Sequence, residues 1–105
     1  MKLLNIDYVP GKEIEPLGIV KGTVVHTKNV GRDFMAAMKT LVGGELVGYT
    51  QMLNEARQIA TKRMVDEAEV LGADAIINVR YGTSSVMSGA AEVIAYGTAV
   101  KFIEK

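Results

Sequence analysis

The residues of this chain that could do chemistry are few. His26 is the single histidine, and the chain contains no cysteine. A transition-metal site needs three or four converging Cys, His or carboxylate ligands, so one chain offers only one weak candidate ligand, His26. A symmetric ring of subunits would bring several copies of His26 to one axis. The alternative interpretation of His26 is an ordinary, partly exposed histidine in a strand.

A second group of residues could bind a small anion. Asn29, Gly31, Arg32 and Asp33 lie in the segment NVGRDF, at the start of a predicted helix. Free N–H groups at a helix N-terminus attract phosphate and other anions, and Arg32 would add positive charge. The spacing matches neither a Walker loop nor a dinucleotide-binding fingerprint. Glycine punctuation at a helix boundary is therefore the alternative interpretation.

Tyr49 and Arg57, near the start of the longest predicted helix, complete the candidate ligand-binding set. They could line a pocket or a contact between subunits; a structural ion pair is the alternative. No nucleophile motif or acid–base pair accompanies them. We therefore predict no catalytic residue and no certain cofactor. An enzyme whose active site is built between subunits from Arg32, Asp33, Tyr49 and Arg57, acting on a small phosphorylated or anionic metabolite, is the second hypothesis.

Length and composition bound the class of protein. The 105 residues correspond to a single domain over residues 1–105, and 49% of them are hydrophobic. The 12 basic and 12 acidic residues cancel and are interleaved, so no nucleic-acid partner is predicted. No apolar run approaches the roughly 18 residues of a membrane span, and the N-terminus lacks the features of a signal peptide. Without cysteine, a cytoplasmic protein is the expectation.

The strands that must position these residues are short and β-branched. A short strand and a turn at Pro10–Gly11 are predicted to come first. Strand one is predicted over residues 17–29, strand two over 74–84 and strand three over 92–103, with a hairpin turn at 87–90 between the last two.

Two helices are predicted between strands one and two. The first covers residues 32–41, and the longer one covers 49–71, with Gly48 as its N-cap and Gly72 as a left-handed C-cap. The longer helix carries apolar residues three or four positions apart, as expected for a helix with one buried side. These residues are Met52, Leu53, Ala56, Ile59, Ala60, Met64, Ala68 and Leu71.

Two of the strands are apolar on both sides. One side of strand three carries Ile94, Tyr96, Val100 and Phe102, and the other carries Val93, Ala95 and Ala99. In strand two, simple alternation places Ile77, Val79 and Tyr81 opposite Ile76. Such strands need cover on both faces, and one long helix covers only one. We therefore predict a homo-oligomer. Ile94 and Val100 are predicted to face the helix. Val93 and Ala95 are predicted to face outward, toward another copy.

The segments LGIVKG, NVGRDFMAAMKTLVGG, LGADAIINV and YGTAV follow one another between residues 17 and 100. In order and spacing they resemble the YbjQ-like family of small bacterial proteins, usually labelled heavy-metal-binding. The resemblance implies an α+β fold: a two-layer β-α-β-β unit like the dodecin subunit, with an antiparallel sheet in the order 1-3-2. It further implies a pentameric ring joined by short additional strands.

From the residue pattern and the family resemblance together, we predict a non-enzymatic homo-oligomer that binds a small anionic ligand or a metal ion at its subunit junctions. The metal ion is predicted from the family label alone. The label fits this sequence poorly, because the chain has one histidine and no cysteine.

Overall fold

A computed structural model describes residues 1–27, 41–42, 45–87 and 90–104 of the chain. Its elements are β1 (Lys2–Leu3), β2 (Glu13–Thr27), β3 (Leu41–Val42), β4 (Glu45–Leu46), α1 (Val47–Val70), β5 (Ala75–Met87) and β6 (Ala90–Ile103). The fold is α+β, as predicted: α1 packs on one face of a four-stranded sheet. β3 and β4 pair with each other in a separate two-stranded sheet.

The main sheet is mixed, and its strand order is β1-β5-β6-β2. β6 pairs antiparallel with both β2 and β5, whereas β1 pairs parallel with the outer side of β5. The predicted three-stranded antiparallel sheet is therefore corrected to a four-stranded mixed sheet: the order 1-3-2 describes only its antiparallel part, β2-β6-β5, and β1 is added at the edge of β5. The N-terminus supplies the fourth strand, β1. Just after β1, Leu4 donates its N–H to the carbonyl oxygen of Ile76 at 2.9 Å. This bond occupies part of an edge of β5 that would otherwise be open.

The three long strands reach further than their sequence patterns predicted. β2 begins at Glu13, four residues before the predicted start of strand one, and its last described residue is Thr27. β5 continues to Met87 and pairs there with Ala90, the first residue of β6. The two strands therefore form a long hairpin, and residues 88–89 of its predicted turn lie outside the described residues.

Helix α1 faces the sheet with small or flexible side chains. Its buried residues recur at every fourth position: Met52, Ala56, Ala60, Met64 and Ala68. Alanines let the backbone of the helix come close to the sheet, and the closest approach is at Gly22 of β2. A Cβ atom added at Gly22 would lie 2.0 Å from the carbonyl oxygen of Ala60. Ile59 and Leu71, predicted on the same stripe, are 37% and 47% exposed.

The two ends of α1 differ in how well the sequence predicted them. The helix begins at Val47, so Gly48 lies inside its first turn and is not the N-cap. The C-terminal end is as predicted, because Gly72 has a φ of +75°. Gly72 donates its N–H to the Glu69 carbonyl at 2.9 Å, and Ala73 donates to the Ala68 carbonyl at 3.1 Å. These two bonds form a Schellman motif.

The first predicted helix, residues 32–41, falls mostly on residues 28–40, which lie outside the described residues. Its final residue, Leu41, belongs to β3. In the part of the chain that the structure describes, no helix is both long and apolar enough to cross a membrane.

A bulge in β5 changes which side chains share a face. The pairing register moves between Ile77, which lies opposite Thr98, and Arg80, which lies opposite Tyr96. Asn78, inside the bulge, has a φ of +53°. This left-handed conformation is tolerated by asparagine better than by most other residues. One extra residue therefore reverses the alternation of every side chain that follows it.

The bulge explains how β5 is apolar on both faces. Ile76 and Val79 both pack in the core beneath α1, whereas Ile77 packs on the other face of the sheet. Tyr81 lies on the α1 side, where its hydroxyl meets Thr61 of the helix at 3.0 Å. The predicted grouping of Ile77 with Val79 and Tyr81 is therefore wrong, because simple alternation cannot anticipate an inserted residue.

The N-terminal segment, residues 4–14, covers one end of the second sheet face. Val9 is only 2% exposed there, and the cluster around it consists of Ala75, Ile77 and Val100, with Leu4, Ile14 and Phe102 at its margin. The backbone N–H groups of Asn78 and Val79 donate to the carbonyls of Ile6 and Leu4, each at 3.0 Å. The expectation that the subunit has no cover of its own on this face is thus wrong at this end.

The two faces of β6 are the reverse of the prediction. Val93 and Ala95 are fully buried in the core beneath α1, so they do not face outward. Ile94 and Tyr96 lie on the opposite face, and Val100 is buried on that face under the N-terminal segment rather than under the helix. The close approach of α1 at Gly22 accounts for this locally: the β6 residue opposite Gly22 is the small Ala95, and the larger Ile94 and Tyr96 on either side of it point away.

Candidate functional site

Most of the ligand-binding residues predicted from the sequence cannot be placed in one site. Asn29, Gly31, Arg32 and Asp33 lie outside the described residues. Tyr49 belongs to the first turn of α1. The anion site predicted from the segment NVGRDF therefore stays a prediction, and so does the enzyme hypothesis that depends on Arg32 and Asp33.

The metal hypothesis finds no ligand cluster in the structure. His26 lies near the end of β2, opposite Ala91. Among the described residues, no three His, Asp or Glu side chains come together as they would around a metal ion. The chain as a whole has no cysteine. The described residues of one subunit thus do not fit a heavy-metal centre, and a metal role for several copies of His26 stays a prediction.

Arg57 takes part in a short hydrogen-bonded chain between α1 and β5. Its Nη2 donates to Oδ1 of Asn54, one helical turn earlier. The hydroxyl of Thr61 donates to the Arg57 carbonyl oxygen at 2.7 Å, and the hydroxyl of Tyr81 lies 3.0 Å from the Thr61 oxygen. Because Thr61 has only one hydroxyl proton, Tyr81 is the donor in the second bond.

These residues line a shallow groove, which we call the helix groove. Its lining consists of Asn54, Arg57, Gln58, Thr61, Lys62 and Tyr81. Every lining side chain has a hydrogen-bond donor and none is a carboxylate, as expected of a surface that contacts anions. However, Lys62 is already paired with Asp66 at 3.0 Å in an exposed i,i+4 pair. Arg57 is therefore the one lining cation without an ion pair to another described residue.

The second candidate is the part of the sheet that neither α1 nor the N-terminal segment covers, which we call the open face. Cross-strand register places its residues in rows across β5, β6 and β2. The rows are Thr98–Ile19, Arg80–Tyr96–Lys21, Gly82–Ile94–Thr23 and Ser84–Glu92–Val25. Ile19 is 78% exposed, Val25 50% and Tyr96 38%. The open face therefore exposes three large apolar side chains among polar ones, and a contact with another protein surface would cover them.

The subunit is more extended than a compact domain of the same length. Its Cα radius of gyration is 17.0 Å, with principal extents of 58 × 26 × 17 Å. A compact chain of this length has a radius of gyration of about 13 Å. The accessible surface is 6842 Å², whereas a compact monomer of this mass exposes about 5,700 Å².

One row of the open face is positively charged. Tyr96 lies directly opposite Lys21 of β2 on one side and Arg80 of β5 on the other. We call these three residues the basic band. All three are exposed, and neither cation forms an ion pair with another described residue. Sequence reasoning missed Arg80 because the bulge moves it to the open face. The alternation around Lys21, between the buried Val20 and Gly22, was a signal that could have revealed that residue.

One helix on one face of a mixed sheet, with part of the other face uncovered, defines a two-layer α+β subunit. A family model described as "Putative heavy-metal-binding" matches residues 1–103, and the chain belongs to this YbjQ-like family. The resemblance inferred from the sequence segments is thereby confirmed.

Curated relatives support the same assignment. A UPF0145 protein of Clostridium novyi is 62% identical over 103 residues, which cover 98% of this chain and 100% of that protein. A UPF0145 protein of Thermotoga maritima is 59% identical over 102 residues, which cover 96% of each chain. A solved structure from Pediococcus pentosaceus, of a DUF74-family protein with unknown function, has a TM-score of 0.67 and 19% identity and covers 98% of both chains. That likeness shows a shared fold.

Proposed function

We propose that the chain is the subunit of a non-enzymatic homo-oligomer whose open face is buried against another copy. The observation that carries this proposal is the exposure of Ile19, Val25 and Tyr96 on a sheet face that α1 does not reach. The pentameric ring implied by the resemblance, a small anionic ligand at the subunit junctions and a cytoplasmic location are the finer parts of the same proposal.

The edge of β2 is partly occupied, which favours a contact between copies through the open face. Lys21 donates its backbone N–H to Oε1 of Glu67 at 3.4 Å, and the Thr23 carbonyl accepts a bond from Arg63 at 2.7 Å. Side chains of α1 thus occupy the middle of this edge. Pro16 and the register shift that follows it interrupt the edge nearer its start. The open face is the larger surface left for another copy.

The absence of cysteine allows a direct test with a thiol probe. An Ile19→Cys variant of the full chain is expected to react with a maleimide at least about tenfold more slowly than a Glu104→Cys variant, because a second copy covers position 19. In the isolated subunit both positions are exposed: Ile19 is 78% exposed and Glu104 is also exposed. Equal reaction rates for the two thiols at micromolar protein would contradict the proposal.

A further inference from the structure

We propose that the basic band of Lys21, Tyr96 and Arg80 binds a small oxyanion of the phosphate class at the subunit junction. The inference rests on the proposed function in one respect, because the band lies on the open face. It goes further in naming the residues of the site and the chemical group that they recognise.

The geometry of the sheet brings the two cations to one point. Lys21 and Arg80 belong to strands on either side of β6, and each lies opposite Tyr96. Neighbouring strands are about 4.8 Å apart, so the two Cα atoms are separated by about 10 Å with the tyrosine between them. Both side chains are long and flexible enough to converge above the tyrosine. A tetrahedral oxyanion offers separate oxygens to a guanidinium and to an ammonium group, and each contact is a charge-assisted hydrogen bond.

On the open face itself, the described residues in the rows next to the band include no carboxylate; Glu67 of α1 lies at the edge of β2, where it accepts the backbone N–H of Lys21 at 3.4 Å. The nearest carboxylate in register on the same face is Glu92, four residues along β6 from Tyr96, which is about 13 Å at the rise of a strand. A groove runs from the band toward the N-terminal segment. Its lining consists of Leu3, Leu4, Asn5, Val79, Arg80, Tyr81 and Tyr96, and it carries no carboxylate.

Burial of the open face makes neutralisation of the band necessary. When another copy covers the face, Lys21 and Arg80 leave water, and an uncompensated buried charge is costly. A bound oxyanion supplies the opposite charge and accepts hydrogen bonds from both side chains. The apolar neighbours Ile19 and Ile94 exclude water around it, which strengthens the contact.

The basic band is a better anion site than the helix groove. In the helix groove, Lys62 is paired with Asp66, and Arg57 is bonded to Asn54. In the band, two cations lack an acidic partner among the described residues and share one neighbour. A second cation roughly doubles the number of charge-assisted bonds available to one anion.

Isothermal titration of the wild-type protein in low salt tests the inference with three probes: inorganic phosphate, adenosine monophosphate and adenosine. Phosphate or the nucleotide is expected to bind, and adenosine is not. Binding of the nucleotide without binding of free phosphate would still support the site and would identify a phosphate ester as the source of the group. Binding of adenosine as tight as that of the nucleotide would overturn the inference, because the negative charge would then be irrelevant.

Matched variants locate the site. Lys21→Gln and Arg80→Gln are each expected to weaken binding at least about tenfold, while Arg57→Gln makes the same chemical change in the helix groove and leaves binding unaltered. A loss with Arg57→Gln but not with Arg80→Gln would overturn the inference in favour of the helix groove. No binding by the wild type, with dissociation of the Arg80→Gln assembly, would also overturn it, because an acidic side chain of another copy would then neutralise the band.

Sedimentation of the same samples separates this inference from the proposed function. A single subunit that binds phosphate through Lys21 and Arg80 would contradict the oligomer and leave the anion site standing. A stable assembly of the wild type that binds neither phosphate nor the nucleotide would contradict the anion site alone.

Discussion

Replacing Gly22 by alanine is expected to lower the free energy of unfolding by about 3 kcal/mol or more. The added Cβ would lie 2.0 Å from the carbonyl oxygen of Ala60 and 2.5 Å from the backbone nitrogen of Met64. Neither backbone atom can turn aside, so α1 as a whole must move away from β2. That movement loosens the packing of the alanine stripe beneath the helix. Urea denaturation followed by circular dichroism measures the loss.

Gly82→Ala is the matched control for this substitution. A Cβ at Gly82 would lie 3.2 Å from a terminal methyl group of Ile94, which can yield by a small rotation. Neither Gly22 nor Gly82 has a positive φ, so backbone strain does not distinguish them. We expect Gly82→Ala to cost less than about 1 kcal/mol. An equal loss of stability in both variants would show that helix approach at Gly22 is not what limits side-chain size there.

Val93→Asp and Ile94→Asp, at neighbouring positions of β6, are expected to fail in different ways. Val93 is fully buried beneath α1, so an aspartate there places a charge without a partner in the core. The cost of about 4 kcal/mol or more should unfold the subunit. Ile94 lies on the open face, where an aspartate stays in contact with water in the single subunit. Ile94→Asp should therefore retain its circular dichroism spectrum and sediment as one subunit of 11.3 kDa.

The structure specifies which of the two substitutions unfolds the subunit and which one separates the subunits. A folded Val93→Asp variant that separates into subunits, together with an unfolded Ile94→Asp variant, would restore the face assignment made by simple alternation. It would also contradict the position of α1.

The parts of the fold that depend on local patterns were predictable. The stripe through Ala56, Ala60 and Met64 has the period of a helix, and Gly72 is the residue type that a left-handed helix end requires. The turn at Pro10–Gly11 is confirmed as well, with a Lys12 N–H to Val9 carbonyl bond of 3.1 Å. These features arise from residues close together in the chain, so a short stretch of sequence contains the information.

The parts that depend on distant residues were not predictable. The bulge at Asn78 is stabilised by carbonyls of Leu4 and Ile6, more than 70 positions away in the sequence, and it reverses the faces of β5 after it. The assignment of faces in β6 failed because the closeness of α1 is set by Gly22 and the helix alanines together. A large apolar residue such as Ile94 then faces outward, against the expectation that size alone directs residues to the core.

The candidate-site residues likewise divide into one that its local position predicted and others that depend on distant parts of the chain. Arg57 was singled out from its place near the helix start, and the structure puts it in a groove rich in donors. Lys21 and Arg80 belong to different strands and come together only through β6, so neither has a local motif. A site assembled by cross-strand register is visible in one sequence only if the register is already known.

Sedimentation velocity of the wild-type protein at micromolar concentration tests most directly whether the open face is covered by another copy. We expect one species with a mass several times the 11.3 kDa of the subunit and a frictional ratio lower than that of the elongated single chain. A monodisperse, stable species of one subunit would contradict it.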